Sequence, residues 1–392
     1  EYRRQRQMCI RDRIMNIKIR KYQLLIVLLV IVISCVFVNT VNCNPQGDNT
    51  RKQQEQAILV NSVDDKRGFA FLQKKLQDQN DVITYSVNQH GLADYGVSES
   101  MGQAMEYAAL IKDKKYFDLM AAQTDKYYLN QVGYYYWKIN AKDYSGERIS
   151  ALIDDLRIFK AYYLAARNNM GDYSKQLVSV SESIYKFDSD GKYLYDFYDD
   201  RSQKKADYVS LFYLDMNAID MLKAYDKQKW QELWQNSREL LQKIEKREYG
   251  FYPVAFSYSE KKYVWNETGI NMVENLYTAL NLYNADGDTG SLLKFMREEI
   301  KTNKKIANWY NFDGSVKDEN ESAAVYALAA RLFWLNNDSK YALWCYSKVL
   351  AFQIEDVSDF GGGFGDQDSG MVYAFDQLEA LLMLRMVQGI GE

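Results

Sequence analysis

Histidine is nearly absent from this 392-residue chain; His90 is the only one. A multi-histidine metal centre is therefore excluded, and so is a Ser-His-Asp triad unless His90 itself serves in it. Four cysteines occur, but Cys9, Cys35 and Cys43 fall in or near an apolar leader, which leaves Cys345 for the body. They offer no disulfide framework and no zinc spacing. There are two prolines, Pro45 and Pro253, so long helices run without their usual breaker. FGGGFGDQDSG (Phe360–Gly370) is no phosphate loop, since no Gly-Lys-Ser/Thr follows and its glycines miss the dinucleotide spacing. DSDG, ADGD and FDGS lack the further acids of a calcium loop. A net charge of −4 without a basic stripe removes nucleic acid as a partner. No metal and no cofactor is expected. Chemistry has to run on carboxylates, amides, hydroxyls and aromatics.

Aromatics are plentiful, with 33 Tyr and 7 Trp, enough for apolar cores and for stacking on flat ligands. Residues 1–14 fit nothing downstream; they resemble translated adaptor DNA and read as extraneous, with Met15 as the natural start. Lys18, Arg20 and Lys21 then precede the apolar run Leu24–Val38, the order of a signal peptide or an uncleaved membrane anchor over 15–43. VISC (Val32–Cys35) loosely resembles a lipoprotein cleavage box. Residues 44–54 read as a polar tether and 55–392 as the body. The sequence thus predicts export to the cell surface or beyond, with membrane contact only through the N-terminal segment, and a monomer.

From about residue 55 the apolar period is helical, and strand-like alternation is scarce. Twelve helices are predicted near 55–78, 99–112, 114–130, 146–169, 173–187, 207–226, 228–246, 268–284, 289–302, 320–336, 338–354 and 369–388. Glycine with Asp or Asn punctuates them. No clean repeat of 34 or 40 residues argues for an open solenoid. Six unequal helical hairpins closing in a ring make an all-α (α/α)6 barrel, with a large bundle as the alternative.

Several acids interrupt apolar faces. Glu99 sits between two serines in GVSESMGQAMEYAAL (Gly96–Leu110), where helix capping competes with a functional role. In SALIDDLRIFKAYYLAA (Ser150–Ala166), Asp154 shares a face with Glu147, Ser150 and Arg157 that reads as solvated, whereas Asp155 lies among Ala151, Leu152, Ile158 and Phe159. An ionised group there is costly unless paired or used. Glu274 is the only charge in TGINMVENLYTALNLYN, and Asp215 a third acid among apolar neighbours, the latter read as a satisfied core group. Asp366 or Asp368 is expected to cap the last helix.

VSESMGQAMEYAAL resembles the Ser-Glu-Gly-x-Gly-x-Gly-Met stretch of glycoside hydrolase family 8, and IDDLRI (Ile153–Ile158) resembles that family's Asp-Ala-Asp-x-x-Ile segment. ADYVSLFYLD, GFYPVAF and YAFDQLEALLML follow in the order of weaker family blocks, so the resemblance runs from about 60 to 390. Two glycines of the first motif are changed. The resemblance implies an (α/α)6 barrel and an endo-acting, mostly inverting enzyme of β-1,4-linked glycans, here of the exported, exopolysaccharide-degrading branch. It places Glu99 on the general acid and Asp155 on the aspartate that contacts the sugar. Small residues beside Glu99 would admit a sugar ring, and the apolar helix behind it would favour its protonated form. The family's base motif, Tyr-Asp-Ala-x-Arg, falls on Ile270–Glu274, where the aspartate is Asn271, and an amide takes no proton from water. Glu274, Glu267 and Asp207 are the replacement candidates, in that order. Trp137 and Trp265, on inter-helix segments, are candidate sugar platforms.

Two other classes compete: a glycan-binding protein on a degenerate hydrolase scaffold, and a polysaccharide lyase using His90. The export reading carries its own check. Mass spectrometry of the processed protein is expected to find a chain beginning after about residue 34, and an intact Met15 in soluble cytoplasm would refute export.

Overall fold

The computed structural model describes residues 65–389. The predicted extraneous stretch, export segment and tether, and the opening of the first predicted helix, lie outside the described residues. Asp64–Met386 form one compact unit.

Among the described residues are twelve α-helices. They are α1 Asp65–Phe71 (continued by a π-helical turn, Leu72–Leu76), α2 Ser98–Leu110, α3 Lys114–Tyr127, α4 Leu152–Arg167, α5 Ser174–Phe187 and α6 Met216–Tyr225. There follow α7 Lys227–Gln242, α8 Met272–Asn284, α9 Gly290–Thr302, α10 Ala323–Leu335, α11 Ser339–Ala351 and α12 Ala374–Gly389.

Composition separates two layers. α2, α4 and α10 are buried nearly all round. The odd-numbered α5, α7 and α9 bury one stripe each, such as Leu177, Val180, Ile184 and Phe187 of α5. A helix apolar on every side belongs inside, and an amphipathic one outside. The even-numbered helices pack in succession, α2 on α4, α4 on α6, α6 on α8 and α8 on α10. Ala324 N–H donates to Asp376 Oδ1 (3.0 Å) to join α10 to α12, and Gln103 Nε2 donates to Glu379 Oε1 (2.6 Å) to join α12 to α2. The ring is closed, and the fold is the (α/α)6 barrel.

At the closest crossing, a Cβ on Gly102 would stand 3.0 Å from Arg157 Cβ and 3.3 Å from the Ile158 amide. The small residues of α2 therefore let α4 approach. They do not open a path for a sugar, as the sequence had suggested.

Inner helices pass to outer ones through short turns, such as 111–113 and 336–338, while the returns (77–97, 128–151, 188–215, 243–271, 303–322 and 352–373) are long. All long returns therefore gather at one end, around the N-termini of the inner helices. They carry the short antiparallel strands. β1 Ser86–Asn88 pairs with β2 Gly91–Leu92, and β3 Tyr95–Val97 with β4 Lys138–Asn140. β5 Tyr198–Asp199 pairs with β6 Lys204–Lys205, and β7 Tyr208–Ser210 with β8 Ala255–Ser257 and β9 Lys262–Val264. β10 Ile270–Asn271, β11 Trp309–Tyr310 and β12 Val316–Asp318 form a fifth group, and β13 Val372–Tyr373 joins β1.

Strands are thus commoner than the sequence reading allowed. The predicted inner-helix starts at 146, 207, 268, 320 and 369 are early because strand or extended residues stand there. A strand of two or three residues shows no alternation, and its buried apolar residues extend the helical pattern. Asp366 closes a loop turn, accepting from the amides of Asp368 (2.8 Å) and Ser369 (3.0 Å), and does not cap α12.

Gln377 fastens the barrel's seam. Fully buried on α12, it donates to Gly68 O of α1 (2.8 Å) and accepts from the Phe364 amide (2.7 Å). Gln377→Ala leaves both backbone groups without this partner. It is expected to cost about 3 kcal/mol, read as a lower urea midpoint at unchanged slope.

Candidate active site

From Ser98 to Ala109, every residue of α2 is buried except Glu99. Ser98 below it is tied down, its hydroxyl donating to Asp154 Oδ2 (2.9 Å) and its amide to Trp137 O (3.0 Å). Glu99 is therefore the one side chain of this helix open at the mouth, with about 24% of its side chain exposed.

Its partner is ionic. Arg157 of α4, expected on a solvated face, is 4% exposed and pairs with Glu99 through Nη1. The surroundings of Glu99 are thus a guanidinium and not the apolar helix surface that the sequence suggested. Arg157 Nη2 donates to the hydroxyl of Tyr277 on α8 (2.7 Å), and the guanidinium stands 5.3 Å from that ring's centroid. The Tyr277 hydroxyl donates in turn to Glu379 Oε1 on α12. Glu379 also accepts from Gln103 Nε2 (2.6 Å) and from Arg331 Nη1 of α10 (3.1 Å). Beside this chain, Lys160 of α4 pairs with Glu106 of α2 (2.8 Å) and lies 3.7 Å from Asp215, the N-cap of α6. All six inner helices contribute a polar group to the barrel axis.

Arg157, Tyr277, Arg331 and Glu379 escaped the sequence reading. Arg331 in AAVYALAARLFWL and Glu379 in AFDQLEALLML have the signal that selected Glu274, a charge inside an apolar helix.

Glu274 is half-buried in the first turn of α8 and lines a small pocket with Asn271, Asn275, Asn266, Tyr252 and Thr278. Tyr277, three residues on, shares its face one turn deeper. Asn271 caps α8, its Oδ1 accepting from the amides of Val273 (2.9 Å) and Glu274 (3.5 Å). Glu267 is exposed in the preceding loop. Asp207 is also exposed and accepts from Ser259 Oγ (2.7 Å), which secures the β7–β8 connection.

Three expectations shift. Trp137 is 5% exposed, packs with Val97, Ile149 and Ala151, and donates Nε1–H to Glu147 Oε2 (3.1 Å); it anchors the entrance to α2 instead of offering a platform. Trp265 is half-buried, and the Arg247 guanidinium lies 4.1 Å from its ring centroid. Asp155 is fully buried and presents no surface to a sugar. Its neighbour is Asp188 at the end of α5, whose Oδ1 accepts from Ser150 Oγ (2.5 Å). His90 is exposed in the β1–β2 turn. Among the described residues no group of three or more His, Cys, Asp or Glu side chains is placed to hold a metal ion.

No protein-family model matches the sequence. Over 348 residues the chain is 26% identical to the Bacillus subtilis (strain 168) protein named "Putative lipoprotein YdaJ", covering 88% of this chain and 92% of that one. Its structure resembles that of a protein described as a novel alpha-amylase from Clostridium perfringens (TM-score 0.72, 25% identity, 82% of this chain and 96% of that one). It also resembles a family 8 glycoside hydrolase from Teredinibacter turnerae, solved with xylobiose (TM-score 0.62, 14% identity, 86% and 96%). The fold is that of glycoside hydrolase family 8.

The Asp155–Asp188 pair makes a testable statement about pH. Burial pushes Asp155 well above the usual carboxylate range, and the charge of Asp188 adds to this. Burial also pushes Asp188 up to about 7, against the Ser150 hydrogen bond and the charge of Lys205. Unfolded aspartates release their protons near 3.9, so the folded pair binds protons the unfolded chain has lost. Stability is then fully present below about pH 4 and falls as pH rises through about 7. Each such proton contributes a slope of about 1.4 kcal/mol per pH unit. Urea midpoints at pH 5 and pH 7.5 are expected to differ less in Asp188→Asn than in the unaltered protein.

Proposed function

We propose that the protein is an exported glycoside hydrolase that cuts an exopolysaccharide or cell-wall polysaccharide internally, with inversion at β-1,4 linkages. The observation that carries this reading is the pairing at the mouth. Glu99 is the only open side chain of its helix, and the half-buried Glu274 stands on α8, linked back to it through Tyr277 and Arg157.

Inversion needs an acid that protonates the leaving oxygen and a base, roughly 6.5–9.5 Å away, that activates water on the other face of the ring. Glu99 takes the acid role and Glu274 the base role. Glu99 is joined to the Tyr277 hydroxyl through the Arg157 guanidinium, and Glu274 stands one turn from Tyr277 on α8. The pocket beside Glu274, rimmed by amides, is suited to hold the attacking water. Arg157 positions Glu99 across the α2–α4 crossing. Arg157 donates to one oxygen of Glu99, and when a sugar arrives the glycosidic oxygen accepts from the protonated carboxyl of Glu99. Export rests on the leader and on the name borne by the B. subtilis relative.

A second linkage is favoured by one observation, the 25% identity to the alpha-amylase, so α-linked glucan belongs among the substrates tried. Reducing-end release is to be measured on starch, β-glucans, xylan, chitosan, poly-N-acetylhexosamine and native biofilm polymer. Glu99→Gln is expected to lower turnover on the order of 10²–10⁴-fold while binding persists. Glu274→Gln should behave alike, whereas Glu267→Gln and Asp207→Asn should retain activity. Retained glycan binding with no release from any polymer would replace the hydrolase by the binding-protein reading.

A further inference from the structure

Two buried polar atoms in the pocket beside Glu274 are left without a partner. They are Asn271 Nδ2 and Asn275 Oδ1, and among the described residues neither has a hydrogen bond. Both side chains line the pocket together with Glu274. Their amides cannot exchange ends. Asn271 Oδ1 is committed to the Val273 and Glu274 amides, so Nδ2 is the end left over. Asn275 Nδ2 donates to Tyr252 O (3.4 Å), so Oδ1 is the end left over there. Four residues apart on α8, the two side chains are neighbours and offer one donor and one acceptor. A buried polar atom left unpaired is costly, and the usual remedy is a water with two to four polar neighbours.

Water matches this pair beside a carboxylate. Its oxygen accepts from Asn271 Nδ2, one O–H donates to Asn275 Oδ1, and the other donates to Glu274. We propose that Asn271 and Asn275 are positioning residues that hold the attacking water against Glu274, with its remaining lone pair turned to the anomeric carbon. The chemistry rests on the hydrolase reading, and the step balances. The water oxygen bonds to the anomeric carbon while the glycosidic bond breaks, its electron pair leaving on the oxygen. Glu274 takes the water's proton, and Glu99 supplies one to the leaving oxygen. Asn271 moves no proton; it donates a hydrogen bond, which a carboxylate at 271 does not. Residues 271 and 274 then bear on one water, so the base is movable between them. A carboxylate placed at 271 keeps the helix cap through one oxygen and accepts from the water through the other.

The water itself is tested without substrate, in a crystal structure of the unaltered protein at a resolution that shows ordered solvent. One water within hydrogen-bond distance of Asn271 Nδ2, Asn275 Oδ1 and Glu274 is expected, and its absence overturns the proposal. On any polymer the protein cleaves, Asn275→Leu should lower kcat on the order of 10²-fold with KM little changed. A raised KM at unchanged kcat would assign the two amides to a sugar hydroxyl and overturn the proposal. Glu274→Gln combined with Asn271→Asp should regain about tenfold or more in kcat over Glu274→Gln alone. This second test stands even where Asn275→Leu fails to fold, and a folded double variant with no gain refutes the shared water. The water found in place in a protein that cleaves none of the polymers supports the two positioning residues and counts against the hydrolase reading alone.

Discussion

The barrel depends on keeping charged groups inside a closed ring of helices. An ionised side chain taken out of water is costly unless its partners replace the lost hydration, and removing one partner costs more than the pair itself contributes. Here the partners come from different helices: Glu99 and Gln103 from α2, Arg157 from α4, Tyr277 from α8, Arg331 from α10 and Glu379 from α12. Each charge is satisfied only when the ring is closed. The network therefore specifies which helices face the axis and at what height, a job that an apolar interior of interchangeable Leu and Ala side chains would do less well. Its outer member is Glu99, so the features that make the axis unique also fix the side chain at the mouth.

The second constraint is where the chain spends its length. Inner helices exit through turns of a few residues and are re-entered through long returns, which places all the elaborate backbone around the inner N-termini. Backbone there has to be hydrogen-bonded, and short antiparallel pairs such as Tyr95↔Asn140 and Ile270↔Tyr310 supply this in groups of two or three strands. The same end carries the unpaired amide groups of the helix starts. Asn271 and Asp215 satisfy those of α8 and α6 by capping. Side chains that begin an inner helix are consequently both structural and placed at the mouth, and Glu99 and Glu274 are the two first-turn acids there that are neither buried nor capping.

That architecture was legible because helical periodicity and Gly/Asp punctuation are local signals. Twelve segments came out in the right order, with the largest errors at the starts of inner helices, where two- or three-residue strands merge with the apolar pattern, and smaller ones at outer-helix ends such as that of α7. Charges were legible in part. Glu274 stood out as a lone charge in an apolar helix, and Arg331 carries that mark too, while Glu379 shares its helix with Asp376 and Arg385. Arg157 did not stand out, because Glu147, Ser150 and Asp154 share its face and together read as a wet one. That face is in fact the barrel axis, and periodicity cannot tell a polar stripe facing water from one facing other polar stripes. Asp155 shows the converse. Its apolar neighbours were read correctly as burial, but the partner, Asp188, comes from the following outer helix, and no spacing along the sequence shows such a contact.

Asn271 has a structural role at the start of α8. At that position a side-chain oxygen must accept from the amides of Val273 and Glu274, and an asparagine Oδ1 does so as an aspartate would. The cap is made without a negative charge. With no charge on residue 271, Glu274 three residues later has no like-charged neighbour on its own helix, since α8 carries no other acid or base. Glu274 lies on the same mouth one turn along α8 from Asn271, longer than an aspartate by a methylene and lining its own pocket. The fold alone does not decide whether that carboxylate activates water or only holds a sugar hydroxyl, for one barrel shape serves proteins described by an alpha-linked and by a xylan-derived sugar. What separates the two is whether charge at Glu274 is needed for turnover or only its hydrogen-bonding shape, a distinction that lies in one oxygen exchanged for one amide.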